Sequence, residues 1–332
     1  MLLALLLGFA AHRASICTVK AVVEVISSRR GYMLASLIKT VLWAMAVILV
    51  AALVWDEGLH LAEGYLPSLP SFAGGVIFGM GAAMNRGCAF STLNKLGSGD
   101  LAMVGTLGGF VIGVVGFELI VGQLDLAVVP VDVPLPLSAP RWLLVLVLAL
   151  TAYALFELTR LWRRRDRSQN LKARGLSPRY RLSTAAMLIG LSGGALYLLN
   201  GDWVYTANLT QGVEWFMGGD AAPPLANGLL FGAVLIGIWL SAWQRQAFAL
   251  RWPRIGPGLM HLLGGVLMGL GAALVPGGND ALILSALPVW LPHALPAFLG
   301  MLLGISAALV AHRLMTGDLP RLSCAGDLCR ED

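Results

Sequence analysis

Long apolar runs dominate the pattern of hydrophobic and polar positions along this chain. A helix needs about 20 apolar residues to cross a bilayer. Runs of roughly that length cover residues 32–55, 101–122, 142–162, 225–243 and 295–310. Shorter or glycine-interrupted runs cover residues 1–11, 72–84, 183–199, 259–275 and 281–290. Because the runs are continuous and do not alternate, they predict an all-α polytopic membrane protein and not a barrel.

The composition agrees with a bilayer as the solvent for most of the chain. Of the 332 residues, 58% are hydrophobic and 12% are charged, and the mean hydropathy is +0.78. A soluble domain carries about 25% charged residues, and its interior would be too small to hide so much apolar surface. The composition therefore excludes an ordinary soluble protein.

Charge in the polar segments predicts the orientation of the chain. Nine of the 23 Lys and Arg residues lie between positions 160 and 181, and such clusters stay on the cytoplasmic side of a membrane. We interpret this cluster as a cytoplasmic loop and expect no nucleic-acid partner. The basic segments 12–31 and 245–254 are predicted to lie inside as well. The segments that carry acids without Lys or Arg are predicted to lie outside, in a multi-pass protein of the inner membrane: 56–71, 124–140 and 201–224.

A glycine-rich segment occurs twice. Residues 74–91 match residues 264–281 at eight of eighteen positions, with an offset of 190, which indicates a duplication. The charge argument gives the two copies opposite directions through the membrane, so we expect inverted repeats. The predicted organisation is a first repeat, a basic cytoplasmic loop, a second repeat and a cytoplasmic tail, at residues 1–160, 161–181, 182–313 and 314–332.

The first glycine-rich segment ends in a polar interruption between two apolar runs. Its residues Asn85, Arg86, Gly87 and Cys88 include a charge that is expensive to leave unpaired in hydrocarbon. Where a helix restarts after such a break, its free N–H groups and its dipole attract an anion. We assign these four residues to a substrate pathway, and snorkelling of Arg86 to an interface is the alternative.

The second copy places Gly277, Gly278, Asn279 and Asp280 at the matching interruption. Glycine suits a helix break, and Asn or Asp can cap the helix that restarts there. We assign these residues to the same pathway. For Asp280, a purely capping role is the alternative, and in an anion path its carboxylate has to be paired with an Arg, capping or protonated.

A third polar interruption follows the N-terminal apolar run. Arg13 and Cys17 are four residues apart, so on a helix they share a face. A membrane cysteine is usually a small hydrophobe, but a nearby Arg favours thiolate character and also binds anions. Both residues are therefore pathway candidates, with ordinary packing as the alternative for the thiol.

These motifs together resemble the YeeE/YedE family of sulfur-transport membrane proteins, over most of the chain. The resemblance rests on the patterns Gly8…Arg13-x-x-x-Cys17, Gly74-Gly75-x-x-x-Gly79-x-Gly81-x-x-x-x-x-Gly87-Cys88 and Gly264-Gly265-x-x-x-Gly269-x-Gly271. It implies an hourglass of helices whose re-entrant segments meet at the centre. It also implies thiosulfate as the type substrate, with cysteines along the path. Cys17 and Cys88 match two of those cysteines, whereas Gly278 replaces the cysteine that the family usually has in its second half.

The tail carries two further cysteines, Cys324 and Cys329. They are either incidental thiols of a disordered tail or a site of redox or persulfide transfer. Their spacing does not suit a metal site.

The sequence as a whole predicts a transporter or channel for a small sulfur-containing anion, most simply thiosulfate, and not an enzyme. No catalytic residue, metal or cofactor is expected, and the partners are the anion and the lipid bilayer. Two other functions remain open. One is a membrane-embedded thiol-redox protein that uses Cys17 and Cys88, and the other is a docking protein for a soluble sulfur carrier on the cytoplasmic side.

Overall fold

The computed structural model describes residues 1–54, 64–124, 130–131, 140–163, 175–219, 222–318 and 322–331. Most of them are helical. The helices are α1 (Leu2–Ala14), α2 (Thr18–Ser28), α3 (Tyr32–Val54), α4 (Leu69–Met84), α5 (Ala89–Gly97), α6 (Ala102–Leu124), α7 (Pro140–Arg163), α8 (Leu182–Asn200), α9 (Tyr205–Phe216), α10 (Leu225–Gln244), α11 (Ile255–Leu274), α12 (Asn279–Ala281), which continues into a π-helical turn at Leu282–Ala286, and α13 (Ala294–Thr316). Two antiparallel strand pairs complete it, β1 (Gly64–Tyr65) with β2 (Pro130–Val131) and β3 (Leu322–Ala325) with β4 (Leu328–Glu331).

Eight segments of the described chain are long and apolar enough to cross a membrane. Two of them, Leu2–Ser28 and Leu182–Phe216, each contain two helices and the break between them. Many large apolar side chains on these helices face outward, for example Leu155, Phe156 and Leu303. Such a surface suits lipid and not water. The prediction of a multi-pass helical membrane protein is confirmed.

The two glycine-rich segments cross each other at the centre of the molecule. A Cβ added at Gly81 of α4 would lie 2.6 Å from the carbonyl oxygen of Gly264 in α11, and one added at Gly271 would lie 2.6 Å from that of Gly74. Any side chain at these positions would force the helices apart, so glycine is required for the close approach. Because Gly74 faces Gly271 while Gly81 faces Gly264, the two helices run in opposite directions where they cross.

A second set of glycines joins these helices to their neighbours. Gly75 of α4 packs on the backbone of α13, and Gly109 of α6 packs on the backbone of α11. These glycines therefore act as small residues that let neighbouring helices approach closely.

Two segments that charge placed in loops are in fact partly helical, so that part of the sequence prediction is wrong. The segment 12–31 contains α2, and the segment 201–224 contains α9. Each helix has only 11 or 12 residues, too few to register as a span. A polar residue within α2 also has a structural role, since the buried Glu24 carboxylate accepts hydrogen bonds from the first amides of α3, including that of Met33 at 2.7 Å.

The tail is a folded hairpin, which corrects the expectation of two free thiols on a disordered segment. Cys324 lies directly opposite Cys329 in the β3–β4 register, and the two form a disulfide. The turn begins at Gly326 with φ 63°, a conformation that glycine adopts without strain. The hairpin packs on the membrane core through buried Leu322 and Cys324. Residues 164–174 of the predicted basic loop lie outside the described residues.

Candidate functional site

Four helices begin close to one another in the interior, each directly after a break in the chain. Their N-cap residues are Cys17, Cys88, Val204 and Gly278, for α2, α5, α9 and α12. The first amides of a helix have no partner within the helix, and they carry the positive end of its dipole. Four such ends together make a centre that favours negative charge.

Direct hydrogen bonds connect these helix starts. The Cys88 amide donates to the Cys17 Sγ atom at 3.4 Å. The amide of Ala89 donates to Oδ1 of Asn279 at 3.0 Å, and the Asn279 amide group donates to the hydroxyl of Thr18 at 3.2 Å. The starts of α2, α5 and α12 therefore form one buried network.

Both cysteines of this network are buried and free. Cys17 is 1% exposed and Cys88 is 0% exposed, and neither takes part in a disulfide. The structure therefore brings together the two thiols that the sequence placed on the pathway. Both lie at helix starts.

The second half of the site is built on oxygen and not on sulfur. The hydroxyl of Thr206 in α9 donates to Oδ1 of Asp280 at 2.6 Å and accepts from the amide of Gly278 at 3.1 Å. The Thr206 amide also donates to Oδ2 of Asp280, at 3.3 Å. Where the Cys88 amide meets a sulfur atom, the corresponding Gly278 amide meets a hydroxyl group.

Asp280 is not paired with an Arg in the described part of the chain, so that sequence prediction is wrong. Its carboxylate caps the start of α9, because the Thr206 amide and hydroxyl point at it. Among the described residues the recorded ion pairs are those of Glu157 with Lys39 and Arg160, far along the chain from Asp280. The carboxylate is 2% exposed.

Asn85 holds the first break in shape. Its side-chain amide donates to the carbonyl of Gly87 at 2.9 Å and to the hydroxyl of Thr92 at 2.8 Å. Its Oδ1 atom accepts from Thr106 at 2.7 Å and lies 2.8 Å from Nδ1 of His261. Asn85 is completely buried. It therefore holds the backbone of the break and so orients the amides that follow.

The glycines of the two breaks belong to the turns themselves. Gly277 has φ 135°, a conformation that residues with a Cβ rarely adopt. An added Cβ at Gly87 would lie 2.8 Å from Oγ of Ser91. Arg86, by contrast, is exposed, and its carbonyl accepts from Nζ of Lys95 at 2.9 Å. Its side chain does not enter the buried network. This position is what the snorkelling alternative predicts.

Arg13 lies at the other end of α5 from the thiols. Its neighbour His12 is 3.0 Å from the hydroxyl of Ser98, which follows α5, whereas Cys17 contacts Cys88, the N-cap of that helix. Nine helical residues separate these points, roughly 14 Å. The expectation that Arg13 and Cys17 share a helix face is wrong, because α1 ends at Ala14 and the chain turns back.

The buried Arg13 guanidinium instead joins α1 to the segment before α8. It donates to the Ser177 carbonyl and to the side chain of Gln244, and it lies over the Phe9 and Tyr180 rings. Burial raises the pKa of the Tyr180 hydroxyl, which stays protonated and donates to the carbonyl of Gly175 at 2.6 Å.

Two cavities flank the second break. One is mainly apolar and is bordered by Leu7, Phe90, Val204, Tyr205, Asp280 and Leu284. The other is more polar and is bordered by Tyr65, Asp202, Pro276, Ala281, Ser285 and His293. Asp280 and Ala281, adjacent in the chain, therefore border different cavities.

A protein-family model described as sulphur transport matches residues 13–307 of the chain. The chain belongs to this family. The match confirms the resemblance that the cysteine and glycine motifs carry, and it contains every residue of the buried network. No curated protein matches the chain. Membership in a sulphur transport family, together with eight apolar segments, identifies a membrane protein of sulfur-compound transport and favours a transporter over an enzyme.

The sequence analysis missed Thr18 and Thr206, although both hold the site together. Thr206 lay in a segment that was interpreted as an outer loop. The signal that would have found them is the position of each threonine, one residue after Cys17 and two after Val204, at the N-terminus of a short helix.

Proposed function

We propose that this protein is an inner-membrane transporter that takes up thiosulfate or a closely related inorganic sulfur anion through the point where the four helices begin. The observation that carries this proposal is the convergence of four helix N-termini, two of them bearing thiols, in the interior of a sulphur transport family member. The amides and dipoles of the helix starts stabilise an anion without requiring a cation in the membrane.

The pattern of glycine contacts between α4 and α11 supports an inverted repeat with a pathway through this point. The offset of 190 takes Gly74 to Gly264 and Gly81 to Gly271. The contacts observed are Gly74 with Gly271 and Gly81 with Gly264, so the same offset exchanges one contact for the other. A two-fold axis produces this exchange, and inverted repeats related by such an axis place substrate where broken helices meet. The hourglass is then formed by α2 and α5 on one side and by α9 and α12 on the other.

The anion-binding residues that we propose are Cys17, Cys88 and Asn279, with the amides that follow Gly87 and Gly277, and Asp280 lies beside this pathway without binding the anion itself. The thiols are weak donors and soft groups that suit the outer sulfur of thiosulfate. Asn85 keeps the first break in shape. Arg13 and Arg86 act nearer to the cytoplasmic end, where positive charge attracts anions toward the pathway.

The contact between Cys88 and Cys17 also favours a second candidate, a membrane-embedded thiol-redox protein. In that case the two sulfur atoms would pass through a disulfide, and the substrate would leave chemically changed. A transporter releases its substrate unchanged, so the identity of the product separates the two functions.

The experiment is uptake of radiolabelled thiosulfate into proteoliposomes that contain the purified protein. We expect uptake above that of protein-free liposomes, and chromatography of the lumen should recover thiosulfate. Recovery of sulfite and sulfide would support the redox function instead. Absence of uptake for thiosulfate and for sulfate, sulfite and tetrathionate would overturn the transport proposal.

A further inference from the structure

Asp280 is a buried acid of the site, and its negative charge would not favour the binding of an anion. Asp280 is 2% exposed, and its hydrogen-bond donors are neutral groups: the amide and hydroxyl of Thr206 and the backbone amides of Asp280 and Ala281. An ionised carboxylate beside the path would repel a dianion strongly in a medium of low dielectric. A buried carboxyl group without a cationic partner is typical of proton relays in transporters.

We propose that anion uptake by this protein is coupled to protons, with Asp280 as the group that carries the proton past the centre and Asp202 as the group that loads it from the outer side. The inference rests on the proposed transport function. The proton moves between carboxylate oxygens and water, and the anion and the proton enter together.

No cationic side chain is recorded beside Asp280 among the described residues, and the partial charges it meets are those of helix-start amides and a hydroxyl. Tyr205 of α9 is the titratable side chain that faces it, and Tyr205 in turn faces Cys88. Beyond Cys17, α2 contributes Lys20, which acts on that thiol. The elements packed on the π-helical turn that follows Asp280 present Asp202 after α8 and His293 before α13.

The outer loading site is the polar cavity on the other side of the second break. Asp202 and Ser285 face each other there, and neither Oδ1 of Asp202 nor Oγ of Ser285 has a hydrogen bond of good geometry. Ser285 is 1% exposed, so a buried polar side chain points into the cavity without a settled partner. Such a group requires water or a proton-bearing ligand.

The hydrogen bond of His293 with Tyr65 determines which ring nitrogen of His293 can donate. Its Nδ1 atom accepts a hydrogen bond from the backbone amide of Tyr65 at 3.2 Å. The ring therefore carries its proton on Nε2, the remaining donor. The cavity also contacts Ala281, the residue after Asp280, so the two acids lie on either side of a single turn of chain.

The membrane potential gives a reason for coupling anion uptake to protons. A dianion that enters a cell with a potential of about 100 mV, negative inside, equilibrates at roughly 10³-fold lower concentration inside than outside. Each proton that enters with the anion removes one of its charges from this balance. A pathway without a coupled cation would let thiosulfate drain out of the cell.

The test is thiosulfate transport in proteoliposomes with the potential held at zero by valinomycin and equal potassium. An inside-alkaline pH gradient should drive wild-type protein to accumulate thiosulfate above the external concentration and should acidify the lumen. Asp280→Asn resembles the protonated form, so it should exchange labelled for unlabelled thiosulfate but should not accumulate it. Asp202→Asn should slow gradient-driven uptake and leave exchange unchanged.

The matched control is Glu214→Gln, an exposed acid on the helix that carries Thr206, which should behave like the wild type. Accumulation by Asp280→Asn equal to that of the wild type would overturn the assignment. Wild-type uptake that ignores the pH gradient would overturn coupling while leaving the transport function intact. If the wild type transports no sulfur anion under any gradient, the transport function fails and this inference fails with it.

Discussion

At the scale of single residues, the two buried thiols carry the clearest expectation. Cys17 and Cys88 meet at two helix starts, and we propose that both contact the sulfur of the substrate. The loss of one hydrogen bond to a charged group costs about 1.5–3 kcal/mol, equivalent to roughly 10- to 100-fold in affinity. Cys88→Ala and Cys17→Ala should each reduce thiosulfate uptake by about that factor in the proteoliposome assay.

The matched control for both is Cys324→Ala, which removes a sulfur from the tail hairpin and should leave the uptake rate within about twofold of the wild type. Equal losses for Cys88→Ala and Cys324→Ala would mean that the interior thiols have no special role. In that case the packing interpretation of buried cysteine would be correct.

Asn85 supports a second expectation at this scale. Its side chain forms bonds with Gly87, Thr92 and Thr106, and Asn85→Ala would leave these groups unpaired in the interior. Each buried polar group left without a partner costs about 1–3 kcal/mol. We expect the melting temperature to fall and uptake to be lost. A variant that melts like the wild type and still transports would show that the break does not depend on Asn85.

Sequence analysis located the thiols and both breaks because Cys, Gly and Asn between apolar runs have few other uses. It placed Arg13 wrongly because the i, i+4 rule holds only within one helix, and α1 ends one residue later. The partner of Asp280 was out of reach for a similar reason. Thr206 is 74 residues away, and no local pattern connects the two.

At the scale of helices, the crossing of α4 and α11 can be tested with one methyl group. A Cβ at Gly81 would meet the backbone of Gly264, and overpacking of this kind costs about 1–3 kcal/mol. Gly81→Ala should lower the melting temperature in detergent and broaden the gel-filtration peak. Gly108→Ala on α6 is the control, since nothing lies within 4 Å of its added Cβ. Equal behaviour of the two variants would contradict this helix crossing.

The element scale also shows where sequence patterns stop being informative. Full spans such as α3 and α10 follow directly from runs of apolar residues. The short helices α2 and α9 do not, because a helix of 11 or 12 residues with several polar side chains resembles a loop. Tertiary contacts in the interior stabilise them, since residues such as Tyr205 and Val22 are buried there.

At the scale of the whole molecule, changes to the tail hairpin distinguish a transport function from a docking function. The hairpin is attached at two places. Its Cys324 carbonyl accepts from Arg30 at 3.2 Å, and Asp327 accepts from the amide of Leu182 at 2.8 Å and from the hydroxyl of Ser183 at 2.9 Å. These contacts bind the end of α2 to the start of α8, so the hairpin has a structural role in addition to any role in recruiting a partner.

We therefore expect truncation after residue 318 to lower the melting temperature modestly and to leave the thiosulfate uptake of the surviving folded protein within about twofold of the wild type. Each bond removed contributes about 0.5–1.5 kcal/mol, too little to unfold a helical bundle on its own. The double variant Cys324→Ser with Cys329→Ser keeps the hairpin and removes only the sulfur atoms. Because the strand pairing and the Asp327 contacts remain, we expect this variant to match the wild type in thiosulfate uptake and in growth. If the tail docks a sulfur carrier, the double variant should transport thiosulfate in proteoliposomes yet fail to support growth. That result would show that the main role of the hairpin is to recruit a partner and not to stabilise the structure.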